Sequence, residues 1–138
     1  MNSWLAVLVA LGAMAAPDPD PVQKEIDRLQ GSYQLVMAER GGMPLARPNT
    51  AKMTIEGQTI TITPEKGDRG VLTFTLDPNR NPKIMKLTQG DQTSPGIYMI
   101  YGEYLKICFH KEGKKPPAEF SSPPNTDLTF FICKRIKQ

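Results

Sequence analysis

From Ser32 onward, apolar and polar residues alternate with period two, and clusters of glycine, proline and asparagine cut the chain into short segments at regular intervals. That pattern is the signature of an all-β domain, because alternation gives each strand one dry and one wet face. Strands are expected at 32–39, 51–56, 59–63, 71–76, 83–88, 96–101, 104–110 and 128–135. Gly57-Gln58 and Gly102-Glu103 read as two-residue turns joining adjacent antiparallel strands, so the chain meanders. Eight meandering strands in about 100 residues can close into an antiparallel up-and-down barrel, whose interior holds packed side chains or one small ligand. A two-sheet sandwich stays open, since the pattern does not say whether the first and last strands pair.

A short helix precedes the strands. Val22, Ile26 and Leu29 are spaced by four and three, which makes one face of about two turns, and Gly31 stops it. Its length suits a lid or plug. Upstream, Pro17-Asp18-Pro19-Asp20-Pro21 is a stiff, extended spacer. The run Trp4 to Ala16 carries no charged side chain and is too short to span a bilayer, so it reads as the apolar core of a signal peptide. Ala13 and Ala15 are the small residues expected three and one positions before cleavage. The resulting layout is a signal peptide at 1–15, a Pro/Asp spacer at 16–21 and one domain at 22–138. The mature chain is expected in the periplasm or medium, with no membrane span after cleavage. A membrane anchor is the competing reading, and it needs a longer run.

Seventeen Lys and Arg against fourteen Asp and Glu make the chain mildly basic. The charges are scattered, and the densest cluster, 110–115, reads as a solvated loop rather than a nucleic-acid patch.

The chain has one histidine and two cysteines. Along 104–110, Leu105, Ile107 and Phe109 share the face expected to meet the core, leaving Cys108 and His110 outside with Tyr104 and Lys106. A metal there would need two further ligands, and Glu112, Glu119 and Asp127 are the nearby carboxylates; no CxxC or HxxxH spacing exists, so no metal or cofactor is expected. Side chains at i and i+2 of a strand stand about 7 Å apart, too far for a Cys/His catalytic pair. Ser121 and Ser122 lack a nucleophile-elbow pattern, Asp18 and Asp20 lie in the spacer, and Glu65 and Asp68 lie in a turn. No catalytic residue is assigned and no enzyme is expected.

Export permits a disulfide between Cys108 and Cys133, which a hairpin register centred between 120 and 121 would align. That register also sets Lys106 against Arg135, and the facing of Cys133 is undecided, so two free thiols remain the alternative. The 111–127 connection is long for a compact domain. Pro116-Pro117 and Pro123-Pro124 stiffen it around the apolar Phe120. Either Phe120 tucks into an open end of the barrel, or Lys115, Pro116, Glu119, Phe120, Ser121 and Ser122 form a rim that gates a ligand mouth or meets a partner.

Several stretches in order carry a family likeness: Leu29-Gln30-Gly31-Ser32-Tyr33, Asp77 to Lys83, Gly96-Ile97-Tyr98, Leu105 to Phe109, Pro116 with Glu119-Phe120-Ser121-Ser122, and Lys134-Arg135. Together they resemble the planctomycete lipocalin-like repeated-paralogue domain, a family of secreted proteins of unknown function, over about Val22 to Arg135. The chain departs from the family at Tyr33, usually tryptophan, at Glu103, often aspartate, and at Lys115, usually arginine. The resemblance implies a lipocalin-like barrel in which Gly31 and Tyr33 open the first strand and Arg135 packs over the Tyr33 ring to close the base; the alternative is that Arg135 is simply a solvated residue at the chain end. A filled or a hollow core follows from different side-chain packing. Hollow, the barrel accepts a small apolar ligand against Leu35, Ile55, Ile60, Phe74, Leu105 and Ile107; filled, it is a structural or interaction domain acting through its surface and the 111–127 loop. No residue pattern specifies a protein partner.

Overall fold

The computed structural model describes residues 20–110 and 115–137, so the expected signal peptide, most of the spacer and residues 111–114 lie outside the described residues. Helix α1 spans Pro21–Leu29. The Asp20 carboxylate accepts the Val22 N–H at 2.9 Å, and Pro21 occupies the first helical position, where no amide hydrogen is needed. Two residues expected in the spacer therefore start the helix. No helix among the described residues is long and apolar enough to cross a membrane.

The strands are β1 (Gly31–Arg40), β2 (Met43–Pro44), β3 (Ala51–Glu56), β4 (Thr59–Thr63), β5 (Gly70–Asp77), β6 (Lys83–Gln89), β7 (Gln92–Tyr101), β8 (Tyr104–His110) and β9 (Leu128–Arg135). β1 pairs with β3, and each strand from β3 onward pairs antiparallel with the next. β1 also pairs with β9, which closes eight strands into an antiparallel barrel and disposes of the sandwich. The two-residue β2 is an extra piece on the far end of β1. β7 starts at Gln92, four residues before the expected 96, after a third tight turn at Gly90-Asp91. Pro95 hides that extension in the sequence; residues 92–95 pair with β6 alone, and a strand with one neighbour there tolerates a missing donor.

Alternation sends Met53, Ile55, Ile60, Phe74, Met85, Tyr98, Leu105 and Ile107 inward, each no more than 2 % exposed. One break in the alternation matters. β1 pairs Leu35 with Cys133 but Met37 with Ile132, so Val36 is an extra residue, a bulge that shifts the register by one. Tyr33 and Leu35 face inward before it, and Ala38 and Arg40 after it, opposite the inward-facing Phe131 and Thr129. Unbroken alternation would have turned Glu39 inward instead.

The helix closes one end through Arg135. This residue pairs with Tyr33, and its guanidinium lies 4.9 Å from the Tyr33 ring centroid. Nη1 donates to the Gln30 carbonyl at 2.6 Å and Nη2 to the Arg28 carbonyl at 2.7 Å, groups that the end of a helix leaves without partners. The Tyr33 hydroxyl donates to the Leu29 carbonyl at 2.8 Å. At Gly31 (φ 134°) a Cβ would fall 2.8 Å from Nη1, so both the backbone angle and the guanidinium require glycine.

A second set of bonds fixes the same helix. Glu25 is 6 % exposed and accepts from Lys83 Nζ (2.8 Å), the Tyr98 hydroxyl (2.8 Å) and Arg28 Nη1 (2.7 Å). Burial opposes its ionisation, yet the three hydrogen bonds outweigh burial and hold its pKa below the usual carboxylate range. Tyr98 moves the other way, because burial and then the Glu25 carboxylate disfavour a phenolate.

Two outcomes are expected. Arg135→Ala should cost about 3 kcal/mol in denaturant unfolding, and Arg135→Lys should recover little, because an ammonium lacks the planar fork that reaches two carbonyls while stacking on a ring. The folded-state pKa of Glu25 lies below its unfolded value near 4.3, so its stabilisation is complete above that value and lost as pH falls through the folded-state pKa. Glu25→Gln should therefore lower stability at pH 7 by about 3 kcal/mol, the low end for breaking a buried pair because Lys83 and Arg28 keep access to water. It should also flatten the acid limb of unfolding, and an acid limb identical to wild type would count against Glu25 as its origin.

Candidate functional site

The helix end of the barrel is packed solid, and the other end is not. A cavity of about 330 Å³ opens among the far ends of the strands. Phe109 and Phe131, edge to face with centroids 5.7 Å apart, are part of its wall together with Ile62, Leu72 and Leu87. Arg40 contributes from β1, and Gln89, Gln92 and Ser94 from β6 and β7, four and three strands away around the closed sheet. Gly70 on β5 completes the lining. A Cβ on Gly96 would fall 2.8 Å from Phe109 Cβ and 2.9 Å from the Cys108 carbonyl, so that glycine leaves room for Phe109 beside it.

The residues expected to surround a ligand do not. Leu35, Ile55, Ile60, Phe74, Leu105 and Ile107 are 1–4 % exposed and fill the closed half; none lines the cavity. The polar lining is legible in part, since Gln92 and Ser94 continue the inward parity of Gly96 and Tyr98 across Pro95. Arg40 gives no such signal, because the bulge at Val36 reverses its facing.

Cys108 and Cys133 form no bridge. The β8–β9 register pairs Leu105 with Cys133 and Cys108 with Phe130, three residues from the register that a bridge requires. Lys106 consequently faces Ile132 rather than Arg135. Cys133 points into the core, with its thiol 4.0 Å from Met53 Sδ, while Cys108 points outward, so the sheet lies between two free thiols. Cys108 is nevertheless fully buried. Ile84, Ile97, Cys108 and Phe130 make a row across the outer faces of β6 to β9, and the 115–122 segment covers it. The Cys108 thiol donates to the Ser121 carbonyl at 3.3 Å, Phe120 sits against Phe130 with centroids 6.3 Å apart, and Pro117 is buried.

This geometry corrects the two readings that put the long connection at an open end or at a ligand mouth. Phe120 packs on the outer wall rather than into an open end, and none of Lys115, Pro116, Glu119, Phe120, Ser121 and Ser122 lines the mouth. Lys115, Pro116 and Glu119 are exposed, and the Ser122 hydroxyl donates to the outward-facing Glu39 at 3.0 Å. His110 Nδ1 lies 2.8 Å from Asp127 Oδ1 on the same outer wall. Among the described residues no three His, Cys, Asp or Glu side chains gather where they could hold a metal ion. A depression of about 480 Å³ also lies on the outer wall, near Ile84 and Pro116, edged by Asp77, Arg80 and Lys86.

Burial pushes the Cys108 thiol up and the Cys133 thiol up to about 12, so neither is a ready thiolate at neutral pH. A thiol reagent should therefore leave the native protein unmodified and label both cysteines once it is unfolded. Reduction should leave the intact mass unchanged; a mass gain on reduction would show a bridge.

The chain matches no family model, no curated protein and no solved structure.

Proposed function

We propose that the chain is an exported, non-enzymatic carrier module of the lipocalin-like kind that takes one small, largely apolar molecule into the mouth of its barrel. The cavity of about 330 Å³ carries this reading. It reaches the roughly 300 Å³ at which ligand pockets begin, and its apolar wall with a few convergent polar groups has the composition such sites share. Export rests on the apolar run Trp4 to Ala16 and the small residues at Ala13 and Ala15. The lipocalin-like assignment rests on the closed barrel, the plugging helix and the motif resemblance from Leu29 to Arg135.

A second reading, a filled core acting through its surface and the 111–127 loop, draws on the solid packing of the closed half and the loop held against the outer wall. The two readings differ in where a ligand sits. Native mass spectrometry of protein purified from its own medium or periplasm should reveal one retained small molecule per chain. After its removal, an apolar fluorescent probe should bind at a single saturable site. Leu72→Trp, which places an indole in the mouth, should weaken that binding at least tenfold with the unfolding midpoint nearly unchanged. Equal binding by both proteins would move the ligand to the outer wall and leave the second reading in possession.

A further inference from the structure

We infer that the barrel mouth selects small amphiphiles with a carboxylate head, and that Arg40 is the residue that binds the head. The inference rests on the carrier reading and adds the chemical class of its ligand.

Arg40 is the single charged residue among those lining the cavity. Its position is built rather than incidental: the bulge at Val36 turns it inward, and Nε donates to the hydroxyl of Thr129, a residue fully buried on the facing strand. That bond orients the guanidinium and uses one of its five donors. The two terminal nitrogens bond to no protein atom among the described residues. Every arginine that ties the fold together is spent differently. Arg135 and Arg28 reach the helix end and Glu25, while Arg47 pairs with Glu65 on the exposed rim. The nearest acid in sequence, Glu39, faces the outer wall and accepts from Ser122.

The chemistry that satisfies such a group follows from its shape. Two parallel N–H donors in one plane match the two oxygens of a carboxylate, and the match strengthens where apolar walls displace water. Arg40 is the last residue of β1, at the rim, so a carboxylate bonded to it keeps part of its hydration while the tail descends along Leu72 and Leu87 toward Phe109 and Phe131. A cation would be repelled, and a neutral head would leave the charge facing water alone. Size sets the tail. At roughly the 30 Å³ that one water molecule takes in the liquid, the cavity holds about ten non-hydrogen atoms, the count of an eight-carbon monocarboxylate.

The test compares octanoate with octan-1-ol, which share the tail and differ in the head, by calorimetric titration of the purified, ligand-stripped protein. Octanoate should bind at least tenfold more tightly, and added salt should erode that preference without changing octanol binding. Arg40→Gln should abolish the preference while octanol binding persists, and Arg40→Lys should restore part of it, as a point charge without the fork. Equal affinity of the two compounds for the wild-type protein would overturn the inference and leave the carrier reading standing. A preference retained in Arg40→Gln would overturn it by placing the anion elsewhere. Binding of neither compound would overturn both. The comparison of the two compounds on the wild-type protein decides the matter even where a variant folds poorly.

Discussion

The guanidinium of Arg135 belongs to three elements at once. It extends from the last strand, lies over the ring of the first, and donates to two carbonyls at the end of the helix. A closed sheet of eight strands needs its first and last members held in register, and it needs an end cap, because a barrel this narrow otherwise opens to water at both mouths. One planar cation supplies both. The carbonyls it reaches carry the negative end of the helix dipole, so the charge that stacks on Tyr33 is also attracted to the cap. Glu25 with Lys83 and Tyr98 pins the other side of the same helix to β6 and β7, which makes the closed end rigid from two directions.

That rigidity divides the barrel. Toward the helix, aromatic and branched side chains fill the interior; away from it, apolar side chains interspersed with polar ones and a glycine border a space. The Phe109 and Phe131 pair stands at the boundary, packed into the core on one side and bordering the cavity on the other. The outer wall repeats the division on a smaller scale. The row from Ile84 to Phe130 would be an exposed apolar stripe if the long connection did not lie over it, so the buried Pro117 of that connection serves packing rather than access.

Much of this is legible in the sequence, and the features that are not share a cause. Period-two patterning locates strands because it reports what each residue does locally, and Leu105 and Ile107 face the core as their alternation implies. The start of the helix at Asp20-Pro21 was also present in the residues, hidden by a repeat that reads as spacer. Register, parity after a bulge and burial by a distant segment are different in kind. Nothing in Cys108 says that residues 115–122 will cover it, and a hairpin with a seventeen-residue connection leaves its register to the packing of Phe131 and Cys133 rather than to a turn. The mouth is hidden in the sequence for the same reason, since Arg40 alternates correctly only when one residue is discounted.

The bulge at Val36 has a meaning for how such a barrel diversifies. Glu39 and Arg40 are neighbours of opposite charge, and the bulge between Leu35 and Ala38 decides which of them faces the interior. Deleting Val36 would straighten the strand and keep Ala38 and Arg40 inward, whereas a strand that kept Val36 in regular alternation would turn Glu39 inward and exchange a cationic mouth for an anionic one. The charge that lies inside the barrel is thus set by backbone register as well as by side-chain identity, since one unpaired residue decides which of two adjacent opposite charges is enclosed.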